Sequence, residues 1–363
     1  MSAETKTRAR EIFDAYQDPV LGPELKNALG EAEITAEGGN VTVALTLGFP
    51  SRRYGRRLAR ELKRRLEADD AIDRAEVRTS TAIAPHQTQP NVERLKSVKN
   101  IIAVSSAKGG VGKSTVACNL ALALVAEGAS VGMLDADIYG PSQPRMLGVK
   151  GRPDSLDGQA IEPMKSYEIE SISVGYLIDD DEPMIWRGPM VTRAMQQLLG
   201  DTRWSDLDYL IVDMPPGTGD IQLTLSQHVP VAGAVIVTTP QDIALLDARK
   251  GLRMFEKVKV PVLGIVENMS LHVCSNCGHQ EPIFGTGGGE RMAEQYGIPL
   301  LGDLPLDIHI REEADAGQPS VVADPDSPAA QAYHGIARRM CARLAAGGEM
   351  PGAKFPSISF EDD

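Results

Sequence analysis

No apolar run in this chain approaches the ~18 residues that suggest a membrane span, and its first ten residues, MSAETKTRAR, contain no apolar leader. Those two absences lead us to expect neither a membrane segment nor a secretory signal. Cysteine is scarce, 4 in 363 residues. In the reducing, cytoplasmic setting this suggests, the cysteines read as thiols or metal ligands rather than disulfides. Aromatic residues make up only 4% of the chain, so the stacking surface of a single-strand nucleic-acid binder is missing. Positive charge is short as well. The net charge is −13, and it is uneven: residues 1–100 hold 17 Lys+Arg against 15 Asp+Glu, the remainder 20 against 35. So acidic a remainder argues against nucleic acid and against anionic lipid as partners.

What is present suffices for a large core, since 42% of the residues are hydrophobic. Residues 1–83 read as a small α/β domain. Glu11–Tyr16 opens a helix, Gly38-Gly39-Asn40 turns into an alternating strand Val41–Leu47, Arg56–Leu66 forms a helix with Leu58, Leu62 and Leu66 on one face, and Glu76–Thr79 is a short strand. The opposite face of that helix carries Arg52, Arg53, Arg56, Arg57, Arg60, Lys63, Arg64 and Arg65. It is a solvated face or a docking face for an acidic partner. Residues 84–98, rich in Pro, Gln and Asn, read as a linker. Residues 99–345 follow as an α/β domain, and 346–363 as a flexible acidic tail. Strands are expected at Ile101–Ser105, Val131–Leu134, Ile169–Val174, Tyr209–Val212, Ala234–Thr238 and Leu263–Val266. All are apolar on both faces, as in a parallel sheet covered by helices. Helices fit Val116–Ala126, Asp242–Val258, Gly289–Tyr296 and Ser327–Leu344, the last with Ser327 as its cap.

The chemistry centres on SSAKGGVGKST, Ser105 to Thr115. An apolar strand precedes it and a helical run follows, the setting a phosphate-binding loop needs. Gly109, Gly110 and Gly112 let the backbone turn without a Cβ in the way. Val111 and its neighbours then aim successive N–H groups at one anion, at the positive end of the helix. Lys113 brings charge to the β- and γ-phosphates, and the Ser114 hydroxyl suits Mg²⁺. Ala107 stands where such loops usually open with glycine. Lys108, at the loop's outer edge, is either a solvated turn lysine or a charge that reaches a nucleotide held by a facing subunit. Three further carboxylates lie at strand ends. Asp135 and Asp137, in DADIYGPS, would support the magnesium waters and orient the attacking water. Asp213 follows four apolar residues and precedes MPPGTGD, the arrangement that holds Mg²⁺ through its waters. Asn268, in ENMS, offers an amide that could read adenine.

Cys274 and Cys277, in HVCSNCGHQ, place two sulfurs on one turn. A structural zinc or an iron–sulfur cluster needs about four ligands. Either a second chain supplies the other two, or His272 or His279 completes a zinc site within one chain.

The loop resembles the deviant phosphate loop of the MinD, ParA and nitrogenase iron-protein group. Taken with DADIYGPS, WRGPMV (Trp186 to Val191), DMPPGTGD, TTPQDIAL, ENMS, CSNCG and IFGTGGGERMAEQYGIPLLGDLPLD, the chain resembles the Mrp/ApbC iron–sulfur cluster carrier ATPases, almost continuously from Asn100 to about Val322. The resemblance implies a homodimer that hydrolyses ATP, binds a 4Fe-4S cluster between subunits and passes it to apoprotein clients. On this chain it would assign Lys108 to a role across the dimer, Gly109 to Thr115 to the phosphates, Asp137 to the water, Asp213 to the magnesium shell, and Cys274 with Cys277 to the cluster. The alternatives are a positioning ATPase of MinD or ParA type and an ATP-driven iron–sulfur reductase. The acidic C-terminus, KFPSISFEDD, has the wrong sign for the first.

Overall fold

The structure is a computed structural model that describes residues 2–21, 28–29, 32–86, 89, 92–155, 158–178, 188–274 and 276–347. The front unit comprises α1 (Ser2–Ala15), β1 (Glu33–Glu37), β2 (Asn40–Leu47), α2 (Arg52–Leu66) and β3 (Arg74–Thr81). Its sheet has the order β1-β2-β3, with β1 antiparallel and β3 parallel to β2. The helix expected at Glu11–Tyr16 runs instead from Ser2 to Ala15, burying Thr5 and Ala9 four residues apart. Strand β1 went unread because only Ile34 of EITAE is buried, too few apolar positions to show an alternation. Helix α2 starts one turn before the expected Arg56 and buries Tyr54, Leu58, Leu62 and Leu66 on a single face. Each such leucine contributes about 1.5–3 kcal/mol of burial.

The second unit contains β4 (Val98–Ser105), α3 (Lys113–Ala126), β5 (Val131–Asp135), α4 (Gln143–Met146), β6 (Met164–Ser166), β7 (Ile169–Ser173), α5 (Gly188–Gly200), β8 (Leu207–Asp213), α6 (Asp220–His228) and β9 (Val231–Thr238). It continues with α7 (Asp242–Lys257), β10 (Val262–Glu267), β11 (His272–Val273), β12 (Gln280–Glu281), α8 (Gly288–Tyr296), β13 (Leu300–Asp303), α9 (Ile308–Asp315), α10 (Ser320–Ala323) and α11 (Pro328–Ala345). The eight-stranded sheet has the order β13-β10-β9-β4-β8-β5-β7-β6, parallel except for the edge pair β6–β7. All six expected strands are present, and two short edge strands, β6 and β13, join them. Ser327 caps α11 as expected, its hydroxyl accepting from the Ala330 N–H at 3.2 Å. Strand β4 lies between β8 and β9, so the carboxyl ends of β4, β8 and β5 open side by side where open α/β sheets bind ligands.

The two units share one hydrophobic cluster, in which Leu58 and Leu66 of α2 belong with Leu120 of α3 and Tyr333 of α11. Glu127, just past α3, joins them further. Its carboxylate accepts from the Arg53 N–H at 2.9 Å, at the positive end of α2, and from the Arg338 guanidinium at 2.8 Å. Trp186 and Arg187 of the WRGPMV motif, parts of the expected linker, and the acidic tail beyond Gly347 lie outside the described residues.

Candidate functional site

Strand β4 delivers the chain into the loop, and α3 begins at Lys113. Gly110 and Gly112 take left-handed φ values of 83° and 79°, which only glycine adopts without strain. A Cβ on Gly112 would also collide with the side-chain nitrogen of Asn268. Lys113 is 6% exposed and sits among carboxylates. Its ammonium contacts Asp213 closely, donates to Ser114 Oγ at 3.1 Å and stands 3.9 Å from Asp137. Asp135 and Asp213 are fully buried and Asp137 nearly so.

Asp135 accepts from the N–H groups of Ser142 and Gln143, each at 3.1 Å, and from the Ser173 hydroxyl at 3.0 Å. Burial, and then the nearby Asp213, nevertheless lift its pKa to about 7. Burial raises Asp137 as well, against the opposing pull of Lys113. Three buried carboxylates around one ammonium hold an excess of negative charge. Among the described residues they do not gather into a direct metal cage, but with the Ser114 hydroxyl they line the site with oxygen, and that chemistry suits the water shell of a hard divalent cation such as Mg²⁺.

A cavity of about 270 Å³ is lined by Gly109, Gly110, Gly112, Lys113, Ser114 and Thr115 among others. A second, of about 310 Å³, shares Gly112, Thr115, Ser142 and Met146 with it and extends over Asn268, Leu306 and Arg311. Together they form a cleft with a polar, glycine-lined end and a more apolar end, the division a nucleotide requires. Asn268 lines the apolar end, and its amide nitrogen donates to the Val111 carbonyl at 2.9 Å, so it braces the loop. Lys108 is exposed, and its side chain forms no ion pair among the described residues. The MPPGTGD turn lies against the loop: Gly217 N–H donates to the Ser106 carbonyl at 2.9 Å, and Pro216 lines the phosphate end.

Sequence reasoning missed Gln143. Only 1% exposed, it donates from Nε2 to the Ser114 carbonyl at 3.0 Å and to Asp213 at 2.9 Å, tying α3 to β8. Its Oε1 is buried with no hydrogen-bond partner. A glutamine between serine and proline reads only as part of a turn, and nothing else in the sequence marks it. Arg311 and Ile310 of α9 were missed too, since almost 200 residues separate them from the loop.

Cys274 and Cys277 are free thiols on the hairpin β11–β12, Cys277 exposed and Cys274 partly so. The turn closes with Gly278 N–H donating to the Cys274 carbonyl at 2.8 Å, Gly278 having φ 70°. Backbone N–H groups of Asn276 and Cys277 stabilise the Cys274 thiolate and lower its pKa. His272 turns away, Nδ1 against the Leu306 carbonyl at 3.1 Å. Among the described residues no group of three or more His, Cys, Asp or Glu gathers to hold a metal ion, so neither His272 nor His279 completes a one-chain zinc site. Cys118 and Cys341 are buried in the core, and burial pushes both thiols up.

The strand–loop–helix with its lysine, its strand-end carboxylates and a mostly parallel sheet defines a P-loop NTPase. The ParA family model, described as NUBPL iron-transfer P-loop NTPase, matches residues 97–341, and the chain belongs to that family. The iron-sulfur cluster carrier protein of Escherichia coli K12 is 60% identical over 269 residues, 74% of this chain and 73% of that one. A protein of the same name from Haemophilus influenzae is 50% identical over 345 residues, 95% and 93% of the two chains, and so spans the front unit as well. Among solved structures, a nucleotide-binding protein of Archaeoglobus fulgidus in complex with ADP superposes with a TM-score of 0.57 at 37% identity, covering 64% of this chain and 91% of its own. Among the described residues, no helix is long and apolar enough to cross a membrane.

Proposed function

We propose that this protein is a cytoplasmic iron–sulfur cluster carrier that binds and hydrolyses ATP and passes a 4Fe-4S cluster to apoproteins. The observation that carries the reading is the presence, in one chain, of a nucleotide cleft and an exposed two-thiol hairpin joined through Leu306. That residue lines the cleft, while its N–H donates to the Leu271 carbonyl at 2.9 Å and its carbonyl faces His272. The names of the E. coli and H. influenzae relatives support the same reading.

ATP is the substrate of the cleft. The N–H groups of Gly109 to Thr115 hold its phosphates, and Lys113 leaves Asp213 for the β- and γ-oxygens. Asp137 orients the attacking water. Magnesium, when bound, neutralises charge between those phosphates; the Ser114 hydroxyl would ligate it, and Asp135 and Asp213 would hold its waters. Lys108, exposed at the loop's edge, acts on the nucleotide of a facing protomer, as an arginine finger does. The cluster is cargo. Cys274 and Cys277 supply two thiolates where four ligands are needed, so a homodimer completes the site on its two-fold axis.

Anaerobic reconstitution with iron and sulfide, followed by absorbance, iron analysis and sedimentation, tests this. The expected result is a brown dimer with one 4Fe-4S cluster per two chains. Cluster uptake and ATP turnover by a strict monomer would overturn it.

A further inference from the structure

Between α7 and α8 lies a groove of about 280 Å³ that neither the nucleotide cleft nor the cysteine hairpin uses. Its floor is apolar, with Leu245 7% and Met292 3% exposed. On α7, Leu246 at its edge and Ile243 one turn earlier are 52% and 66% exposed, a large apolar area for a solvated helix. Two guanidiniums border it. Arg249 lies over the Tyr296 ring at 5.8 Å, and its Nε is buried without a hydrogen-bond partner among the described residues. Arg291 donates to the Thr286 carbonyl at 2.8 Å and stands 3.7 Å from Asp242, an acid whose side chain is 92% exposed.

The N-terminus of α8 does not give the groove an anion preference, because Glu267 already accepts from the Gly289 N–H there. The preference comes from the two arginines, set in a chain of net charge −13. Guanidinium pairs with carboxylate in a directed, two-point fashion. Aliphatic side chains beside arginine match the composition of protein–protein contact centres. The place matters as well: β12 ends at Glu281 and α8 starts at Gly288, so one short connection separates the cysteine hairpin from the groove wall.

We infer that this groove is where an acceptor apoprotein docks, laying an aliphatic side chain on Ile243 and Leu246 and a neighbouring carboxylate on Arg249 and Arg291. The inference rests on the carrier reading above and adds the surface that recognises the recipient. Charge complementarity selects an acidic, aliphatic segment of the partner. A polyanion is disfavoured by Asp242 and by the acidic body around it.

The test uses the full chain loaded anaerobically with a 4Fe-4S cluster, with purified apo-aconitase as acceptor and recovered aconitase activity as readout. The surface pairs Arg249→Gln with Arg291→Gln, and Ile243→Asp with Leu246→Asp, should each slow transfer at least about tenfold. Cluster loading, ATP turnover and melting temperature should stay near those of the unmodified protein. Raising salt should slow the unmodified protein and leave the arginine pair little changed. Transfer by both pairs at the rate of the unmodified protein would overturn the groove alone. A fall from dimer to monomer in the Ile243→Asp/Leu246→Asp protein would assign the groove to a second copy and also overturn it. No transfer from the unmodified, loaded protein would overturn the carrier reading and the groove with it.

Discussion

The nucleotide cleft and the cysteine hairpin ionise in opposite directions. In the cleft, burial dominates: Asp135 is pushed to about 7 and Asp137 also rises, although Lys113 is beside them. On the hairpin, the backbone N–H groups of Asn276 and Cys277, and then the Cys277 thiol, outweigh the slight burial of Cys274 and pull its thiol down. The cleft is held by long-range contacts from five elements, α3, β5, α4, β8 and the end of β10. The hairpin consists of two two-residue strands whose tether to the rest is the Leu306 segment. A site that handles a small diffusible substrate thus has its charges fixed in advance. On the carrier reading proposed above, a site that must surrender its cargo keeps its ligands accessible and few.

The comparison is broken most completely by removing the thiols. Cys274→Ala with Cys277→Ala should leave a colourless protein after anaerobic reconstitution while ADP still binds; retained brown colour would move the cluster elsewhere. Next in size, Lys108→Ala should keep nucleotide binding yet reduce hydrolysis by roughly 10³-fold, the lower range for a charge supplied across an interface. Unchanged ATP turnover would sink the cross-subunit role. Lys113→Ala removes two or more charge-assisted hydrogen bonds to phosphate and should weaken ADP binding at least about 100-fold in calorimetry. It should leave cluster uptake intact if the two sites are built independently. Gln143→Leu should weaken ADP binding in the presence of Mg²⁺ by roughly tenfold, because Asp213 and the Ser114 carbonyl lose a shared donor. Binding equal to the unmodified protein would reduce Gln143 to a packing residue.

The same contrast explains what could be read from the sequence. The central strands were legible because Ile101 to Val104 and Leu210 to Val212 are buried on both faces and so read as unbroken apolar runs. The loop was legible because its glycines and lysine are contiguous and its flanks agree. Edge strands were not: β6 is three residues long and β1 buries little beyond Ile34. The apolar end of the cleft was illegible for another reason. Met146, Asn268 and the segment of Leu306 and Arg311 come from three separate stretches, and only the parallel sheet brings them together. The one-chain zinc alternative could not be dismissed by spacing alone, since His272 adjoins the cysteines in sequence and leaves them only by bonding Leu306. How the front unit sits on the body was equally invisible, because it depends on Glu127 meeting the start of α2 some 74 positions away.

The smallest predicted effect sharpens the contrast through pH. An aspartate has an unperturbed pKa near 4 in an unfolded chain, whereas folded Asp135 titrates near 7. Below about pH 4 both states hold the proton and the term is fully present. Between about 4 and 7 the unfolded chain releases it while the folded protein retains it, so stability falls as pH rises through that window. Thermal unfolding of the ligand-free protein in chelator, followed by circular dichroism from pH 5 to 7.5, should show a melting temperature that declines by a few degrees with rising pH. Asp135→Asn, which cannot ionise, should flatten that decline, although Asp137 and Glu267 share its sign and leave part of it. Cys274→Ala should leave the Asp135 contribution to that slope in place, because that thiol lies outside the buried cluster. An Asp135→Asn protein with the full pH dependence would mean that the cleft's charge excess is already relieved within the chain, and the fit to a divalent cation would lose its physical basis.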